Sequence, residues 1–310
     1  MTGAAIVAAF GLSNCSDDGA DVWETEGKTR VVATTTMIAD LTKIIGGDEV
    51  EVYGVMGEGI DPHGYEQTAK DTAALRTADV IFYNGLHLEG KMQDNLEKQA
   101  KKKSVYAVTS GMPEGGIIKP TENFEEFDDP HVWGDPELWA HTIDVVVEGL
   151  SKADPDNADK FKKRGEAYRK ELLDLKAWAT SRIAELPAEK RILVTSHDAF
   201  NYYARAFGFR VKSVDGLAPE DITSIKKVQE LESLIKEKGI KTIFAESATN
   251  NATVKNLAEK TQAELSKHEL FADATGKSGE METVNGETYD LGTYIGMVKH
   301  NVNAIVEGLK

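Results

Sequence analysis

One cysteine, Cys15, stands in 310 residues, which excludes a disulfide framework and a thiolate metal cluster. Basic side chains are outnumbered, 36 against 52 acidic ones. The net charge of −16 argues against nucleic acid or an anionic lipid surface as partner, since both need a basic footprint. Most of that acidity serves solubility, although a cation would find the surface attractive. Beyond the N-terminal stretch, no run is long and apolar enough to span a bilayer. No His-Glu-x-x-His pair is present, so the common helical zinc-hydrolase motif is missing. Proline occurs eight times and histidine seven, so a fixed pattern that repeats both is informative.

Such a pattern is there. Asp-Pro-His occurs as Asp61-Pro62-His63 and again as Asp129-Pro130-His131, and a third histidine, His197, directly follows the apolar run Ile192-Leu193-Val194-Thr195-Ser196. Proline fixes its own φ and pushes the preceding residue towards extended geometry, so each tripeptide is a stiffened loop that presents its histidine rigidly. Rigid presentation suits a metal ligand. Asp-Pro is also ordinary turn chemistry, and a turn histidine is often simply solvated.

Short β-rich runs alternate with helical stretches. Arg30 to Thr35, Glu49 to Val55, Val80 to Tyr83 and Ser104 to Ala107 form a first series of strands, separated by helical segments such as Ile38 to Ile45, Lys70 to Ala78 and Met92 to Lys103. Ile192 to Ser196, Arg210 to Val214, Thr242 to Ala245 and Glu269 to Phe271 form a second. This alternation implies two α/β lobes, each with a parallel four-stranded sheet flanked by helices.

Between the two series, Asp154-Pro155-Asp156 offers an N-cap and a proline at the first helical position, and an unbroken stretch then runs to Pro187. Apolar residues at 161, 168, 172, 175, 179, 183 and 186 give it one continuous stripe. About thirty residues would make a helix some 45 Å long, long enough to join the lobes as a rigid strut. The expected division is a signal-like tether at 1–22, an N-terminal lobe at 23–153, a linking helix at 154–187 and a C-terminal lobe at 188–310.

Ligands of open α/β sheets collect beyond the carboxyl ends of the strands. His63 follows the second strand, His131 the fourth, and His197 the first strand of the second series. A carboxylate should complete the set, and Asp273 follows Leu270-Phe271-Ala272 at the end of the last strand. The expected metal site is therefore His63, His131, His197 and Asp273, two from each lobe, in the interlobe cleft. The segment from Ile117 to Asp129, with Glu122, Glu125, Glu126 and Asp128, reads as a mobile, solvated acidic loop.

Several segments together resemble the metal-binding receptors of bacterial manganese and zinc ABC importers, solute-binding family 9, of the lipoprotein receptor antigen type. They are Gly59-Ile60-Asp61-Pro62-His63-Gly64-Tyr65-Glu66, Tyr83-Asn84-Gly85-Leu86-His87-Leu88-Glu89, Asp129-Pro130-His131-Val132-Trp133, Ser196-His197-Asp198-Ala199-Phe200, Phe244-Ala245-Glu246-Ser247 and Leu270-Phe271-Ala272-Asp273-Ala274. The resemblance runs from Val31 to Leu309. It implies two α/β lobes on one long helix, the same four ligands, and an extracytoplasmic receptor that delivers Mn2+ or Zn2+ to a membrane permease. Histidine at the third ligand position, without the histidine-rich loop frequent in dedicated zinc receptors, implies a site of mixed type. Of the two ions, family analogy favours manganese.

Cys15, after the weakly apolar stretch Ala4 to Leu12 and before a polar segment, resembles the lipid-bearing cysteine of a bacterial lipoprotein. Asn14 in place of a small residue, and the lack of Lys or Arg ahead of the apolar stretch, depart from that pattern. A periplasmic or membrane-anchored monomer is expected, tethered through a lipid on Cys15 if the pattern holds. The competing reading is a zinc-dependent hydrolase using the same three histidines and one aspartate, which would need an open position for water and a general base. No adhesive motif is evident. His87 reads as packing, and His141, His268 and His300 have no partner motif nearby. Glu246 ends a strand that faces the cleft and is expected to make structural hydrogen bonds, with orientation of a ligand as its lesser option.

Overall fold

A computed structural model describes residues 22–101, 103–120, 127–218 and 224–310. Cys15, the stretch leading to it, and Glu122, Glu125 and Glu126 lie outside the described residues.

The first lobe alternates strand and helix as β1 (Thr29–Ala33), α1 (Thr36–Gly46), β2 (Val50–Gly54), α2 (Ala69–Thr77), β3 (Val80–Tyr83), α3 (Gly90–Ala100) and β4 (Val105–Ala107). The strands form one parallel sheet in the order β2-β1-β3-β4, with Val31 opposite both Val52 and Val80. Strand residues alternate faces, and here both faces are apolar. Val31, Ala33 and Phe82 enter the large core, whereas Val32, Ile81 and Tyr83 enter a second one with Leu75 and Leu96. A parallel sheet covered on both sides has this signature.

Two short helices, α4 (Pro136–Trp139) and α5 (Thr142–Ala153), lead to α6 (Ala158–Ile183). Helix α6 has 26 residues and is about 39 Å long, somewhat shorter than the sequence pattern suggests. It is shorter at both ends, since it stops at Ile183 and begins only at Ala158. Asp154 and Pro155 do begin a helical turn, but Pro155–Asn157 is a separate 3-10 turn, and the Asp154 carboxylate caps no backbone N–H and accepts instead from the Asn157 side-chain amide. All seven stripe residues, Phe161 to Leu186, are buried. They pack against α1, α4 and α5 on the first-lobe side and against the C-terminal helix on the other, so one core runs through both lobes. Truncating a central member such as Leu172 to Ala would cost roughly 2–5 kcal/mol.

The second lobe comprises β5 (Ile192–Thr195), α7 (Asn201–Phe207), β6 (Arg210–Ser213), α8 (Ile225–Lys238), β7 (Thr242–Ile243), α9 (Ala252–Thr261), β8 (Glu264–Leu265), the hairpin β9 (Met281–Val284) and β10 (Glu287–Asp290), and α10 (Tyr294–Leu309). Its parallel sheet comes in short pieces. β5 pairs with β6 and β7 with β8, and the Phe244 N–H joins the two pairs at the Val194 carbonyl. The expected last strand at Glu269 to Phe271 is a single parallel bridge between Glu246 and Leu270, with β8 preceding it on the same edge. Alternation again serves two layers, with Leu193 in the shared core and Val194 in a core with Leu231 and Leu257. No described helix is long and apolar enough to cross a membrane.

Candidate metal centre

Both Asp-Pro-His tripeptides fold as the same turn. The carboxylate of Asp61 accepts the His63 backbone N–H at 2.9 Å, and that of Asp129 accepts the His131 N–H at 3.0 Å. Proline supplies the extended step between them, and the aspartate locks the turn that its own backbone begins. Asp129 does more, since its Oδ1 lies 2.9 Å from His131 Nδ1. It is fully buried, so it does not belong to the solvated acidic run expected from the sequence. Among that run's other described members, Asp128 pairs with Lys119 at 2.7 Å.

The loops carrying His63 and His131 share a scaffold. Buried Glu89 accepts the Thr34 hydroxyl at 2.8 Å and the N–H groups of Asn84 and Gly85, and the Asn84 amide donates to the Pro130 carbonyl at 3.0 Å. Burial pushes the Glu89 carboxyl above its usual range, while those donors pull against the shift. Gly90, with φ +38°, lies so close under the His63 loop that an added Cβ would stand 2.2 Å from the His63 carbonyl oxygen. These contacts account for the motif from Tyr83 to Glu89. His87 itself is exposed and stacks on Phe127 with ring centroids 3.9 Å apart.

In the second lobe, His197 leaves the end of β5 and meets Glu246, which leaves the end of β7. Glu246 Oε1 accepts the N–H groups of Ser196 and His197 at 2.8 and 3.0 Å, and its Oε2 bonds His197 Nδ1. Glu246 thus makes the structural hydrogen bonds expected of it, and in addition it fixes the orientation of the His197 ring. Asp273 follows the Glu246–Leu270 bridge.

The four expected ligands come together: one donor atom from each of His63, His131, His197 and Asp273 lies within 4.8 Å of the others. His63 Nε2 is 3.3 Å from His131 Nε2, His131 Nε2 is 3.5 Å from Asp273 Oδ1, and His197 Nε2 is 3.1 Å from Asp273 Oδ2. With Nδ1 of His131 and of His197 held by carboxylates, Nε2 of each ring is left facing the common centre. Such carboxylate–histidine pairs fix the tautomer and orientation that a metal requires. His197 Nε2 and both Asp273 oxygens are buried without a hydrogen-bond partner. Polar atoms are seldom left so without a ligand to satisfy them.

Electrostatics suit a cation. Burial pushes His63 down to about 3, so its ring is neutral and keeps a lone pair. For Asp273, burial works the other way, but the surrounding imidazoles outweigh it and hold the carboxyl well below its usual range. Burial also opposes charge on His197, yet flanking Glu246 and Asp273 prevail and raise it well above an ordinary histidine.

Contacts between the lobes surround the cluster. The Trp133 indole donates to the Ala272 carbonyl at 2.7 Å, one residue before Asp273, and Tyr294 donates to the Trp133 carbonyl at 2.7 Å. The Asn201 amide donates to Asp129 at 3.1 Å, and the Thr275 N–H donates to Thr36 at 2.8 Å.

Two covered α/β lobes on a shared helix, with three imidazoles and a carboxylate between them, define a two-lobed metal-binding protein. Residues 31–308 match the family model described as ZnuA, zinc-uptake complex component A, periplasmic, and the chain belongs to that family. It is 39% identical over 314 residues to the manganese-binding lipoprotein MntA of Bacillus subtilis, covering 100% of this chain and 99% of that protein. It is 40% identical over 305 residues to the zinc-binding protein TroA of Treponema pallidum, covering 97% of this chain and 92% of that one. The solved structure of periplasmic zinc-binding TroA superposes with a TM-score of 0.84 over 91% of this chain and 99% of that chain, at 39% identity.

Proposed function

We propose that this protein is the extracytoplasmic receptor of an ABC-type importer, capturing one Mn2+ or Zn2+ with His63, His131, His197 and Asp273 and handing it to a membrane permease. The observation that carries the reading is the convergence of three Nε2 atoms on a buried carboxylate that has no hydrogen-bond partner of its own. Names of relatives from both the manganese and zinc branches support it.

Three imidazoles and one carboxylate oxygen suit tetrahedral Zn2+, while a bidentate Asp273 would raise the coordination number and admit Mn2+. Nitrogen-rich sites favour zinc at equilibrium, so delivery of manganese would depend on which ion the cell surroundings supply. The reading assigns no catalysis. Four protein donors close a tetrahedral shell, and a hydrolase needs one position left for water.

In this reading the lobes are residues 23–153 and 188–310, and 154–187 join them. The ion bridges donors from both, stabilises their pairing, and is released when the permease draws the lobes apart. A linking helix that shares its core with both lobes limits that motion to a small tilt. The protein would act as a monomer, without nucleic acid, held at the membrane by a lipid on Cys15. Replacing His63 or Asp273 with Ala should abolish tight binding in a calorimetric titration while circular dichroism stays unchanged. Unaltered affinity would remove these residues from the site.

A further inference from the structure

A second group of donors lies in the C-terminal lobe, built from side chains that share nothing with the first. His300 on α10, Glu282 on β9 and His268 in the loop after β8 each offer one donor atom within 4.8 Å of the others. None of the three belongs to the interlobe cluster.

The hydrogen bonds of His300 make this arrangement unusual. Its Nε2 is 2.9 Å from the Glu269 carbonyl oxygen, which can only accept, so Nε2 carries the hydrogen. Its Nδ1 is 2.9 Å from Glu282 Oε2, and a carboxylate oxygen also can only accept. A neutral ring has one hydrogen and would point a bare lone pair at that oxygen. That contact is satisfied by a hydrogen shared between the ring and the carboxyl, or by a metal ion bound to both from one side. Glu282 is held in place for either, since Tyr289 donates to the same oxygen at 2.8 Å and Asn303 in turn donates to Tyr289 at 3.1 Å.

His268 distinguishes the two options. A simple ion pair needs no third member, yet the His268 Nδ1 stands 3.9 Å from Glu282 Oε1, too far for a hydrogen bond and close enough to share a cation with it. Its ring meets that of His300 edge-on, with centroids 5.7 Å apart. His300 is buried and its Nε2 is anchored on a carbonyl, the usual support of a metal-bound imidazole, while His268 is half exposed and can swing by the ångström needed to close the shell.

We propose that His268, Glu282 and His300 form a second, exchangeable binding site for a borderline divalent cation of the Zn2+ class. Two nitrogens and a carboxylate oxygen fit Zn2+ at bond lengths of about 2.0–2.2 Å and leave a position open to water. With three protein donors instead of four and one of them at the surface, this site holds metal more weakly than the interlobe cluster. Mn2+ binds it more weakly still, by the Irving–Williams order.

The test is equilibrium dialysis of the metal-stripped full chain against Zn2+, with metal counted by elemental analysis. Wild type should saturate at two equivalents in two separated steps. His268→Ala, at an exposed position that does not endanger the fold, should lose the weaker equivalent and keep the tighter one. A His63→Ala/Asp273→Ala variant should retain the weaker equivalent, and adding His268→Ala should remove it. Saturation of wild type at one equivalent, or a second equivalent indifferent to His268→Ala, would overturn the proposal. Either result leaves the interlobe reading standing, because that depends on the tighter step alone.

Discussion

Glu246 holds His197 at two points, accepting its backbone N–H at 3.0 Å and its ring Nδ1 hydrogen. The ring is thereby left with Nε2 directed at Asp273, 3.1 Å away. Replacing the carboxylate with an amide should disturb this by a definite route. In Glu246→Gln the single carbonyl oxygen can keep the two backbone N–H groups, and the amide NH2 then faces Nδ1. His197 must accept there and carry its hydrogen on Nε2, aimed at the metal position. We predict a loss of metal affinity of about 10–100-fold with little change in fold, read by competition with a chelator of known strength. Wild-type affinity in the variant would mean that Glu246 does not set the tautomer.

Gly90 offers a backbone test of how His63 is presented. Gly90→Ala puts a Cβ 2.2 Å from the His63 carbonyl oxygen at φ +38°, and the His63 loop must move to accommodate it. Gly59→Ala is the control, because its φ of +70° carries backbone strain of its own but the added methyl meets open space. Strain at such positions is on the order of 1–3 kcal/mol. Both variants should lower the thermal stability of the metal-free protein, and only Gly90→Ala should also weaken metal binding. Equal affinities in the two would separate Gly90 from the site.

A pH dependence follows from Asp40, whose carboxylate on α1 accepts the Tyr294 N–H of the second lobe at 2.9 Å. Burial chiefly pushes its pKa up to about 6, helped by nearby Asp290 and opposed by the Tyr294 N–H and Lys43. Between about pH 4 and pH 6 the folded state keeps a proton that the unfolded chain has released. This contribution to stability therefore falls as pH rises through that window, by on the order of 3 kcal/mol. Asp40→Asn keeps an acceptor for Tyr294 and cannot ionise. Relative to wild type, its denaturant midpoint in metal-free protein should improve from pH 4 to pH 7.5. A constant offset across that range would show that Asp40 is ionised without penalty.

Much of this was legible in the sequence, and the reasons differ from element to element. The strands of the first lobe and the stripe on α6 could be read because both faces of a parallel sheet, and one face of a packed helix, demand apolar residues at fixed periods. The second lobe's edge was harder. Beyond β5 and β6 the sheet consists of two-residue pieces and one bridge, so periodicity has too few positions to register there. Asp-Pro-His marked two donors because its turn is closed locally by Asp61 and Asp129, whereas the support given to His197 by Glu246 spans 49 residues and shows only as a carboxylate at a strand end. His268, Glu282 and His300 left no signal at all. They sit on a loop, a hairpin and a helix that only the folded chain brings together.

The most direct test of the four-donor centre is an anomalous-difference map from crystals grown with Zn2+ or Mn2+, recorded at the absorption edge of the ion supplied. The account predicts a peak between the lobes within bonding distance of Nε2 of His63, His131 and His197 and of the Asp273 carboxylate. An interlobe cluster without a peak, in crystals whose protein has bound one equivalent of metal elsewhere, would contradict it.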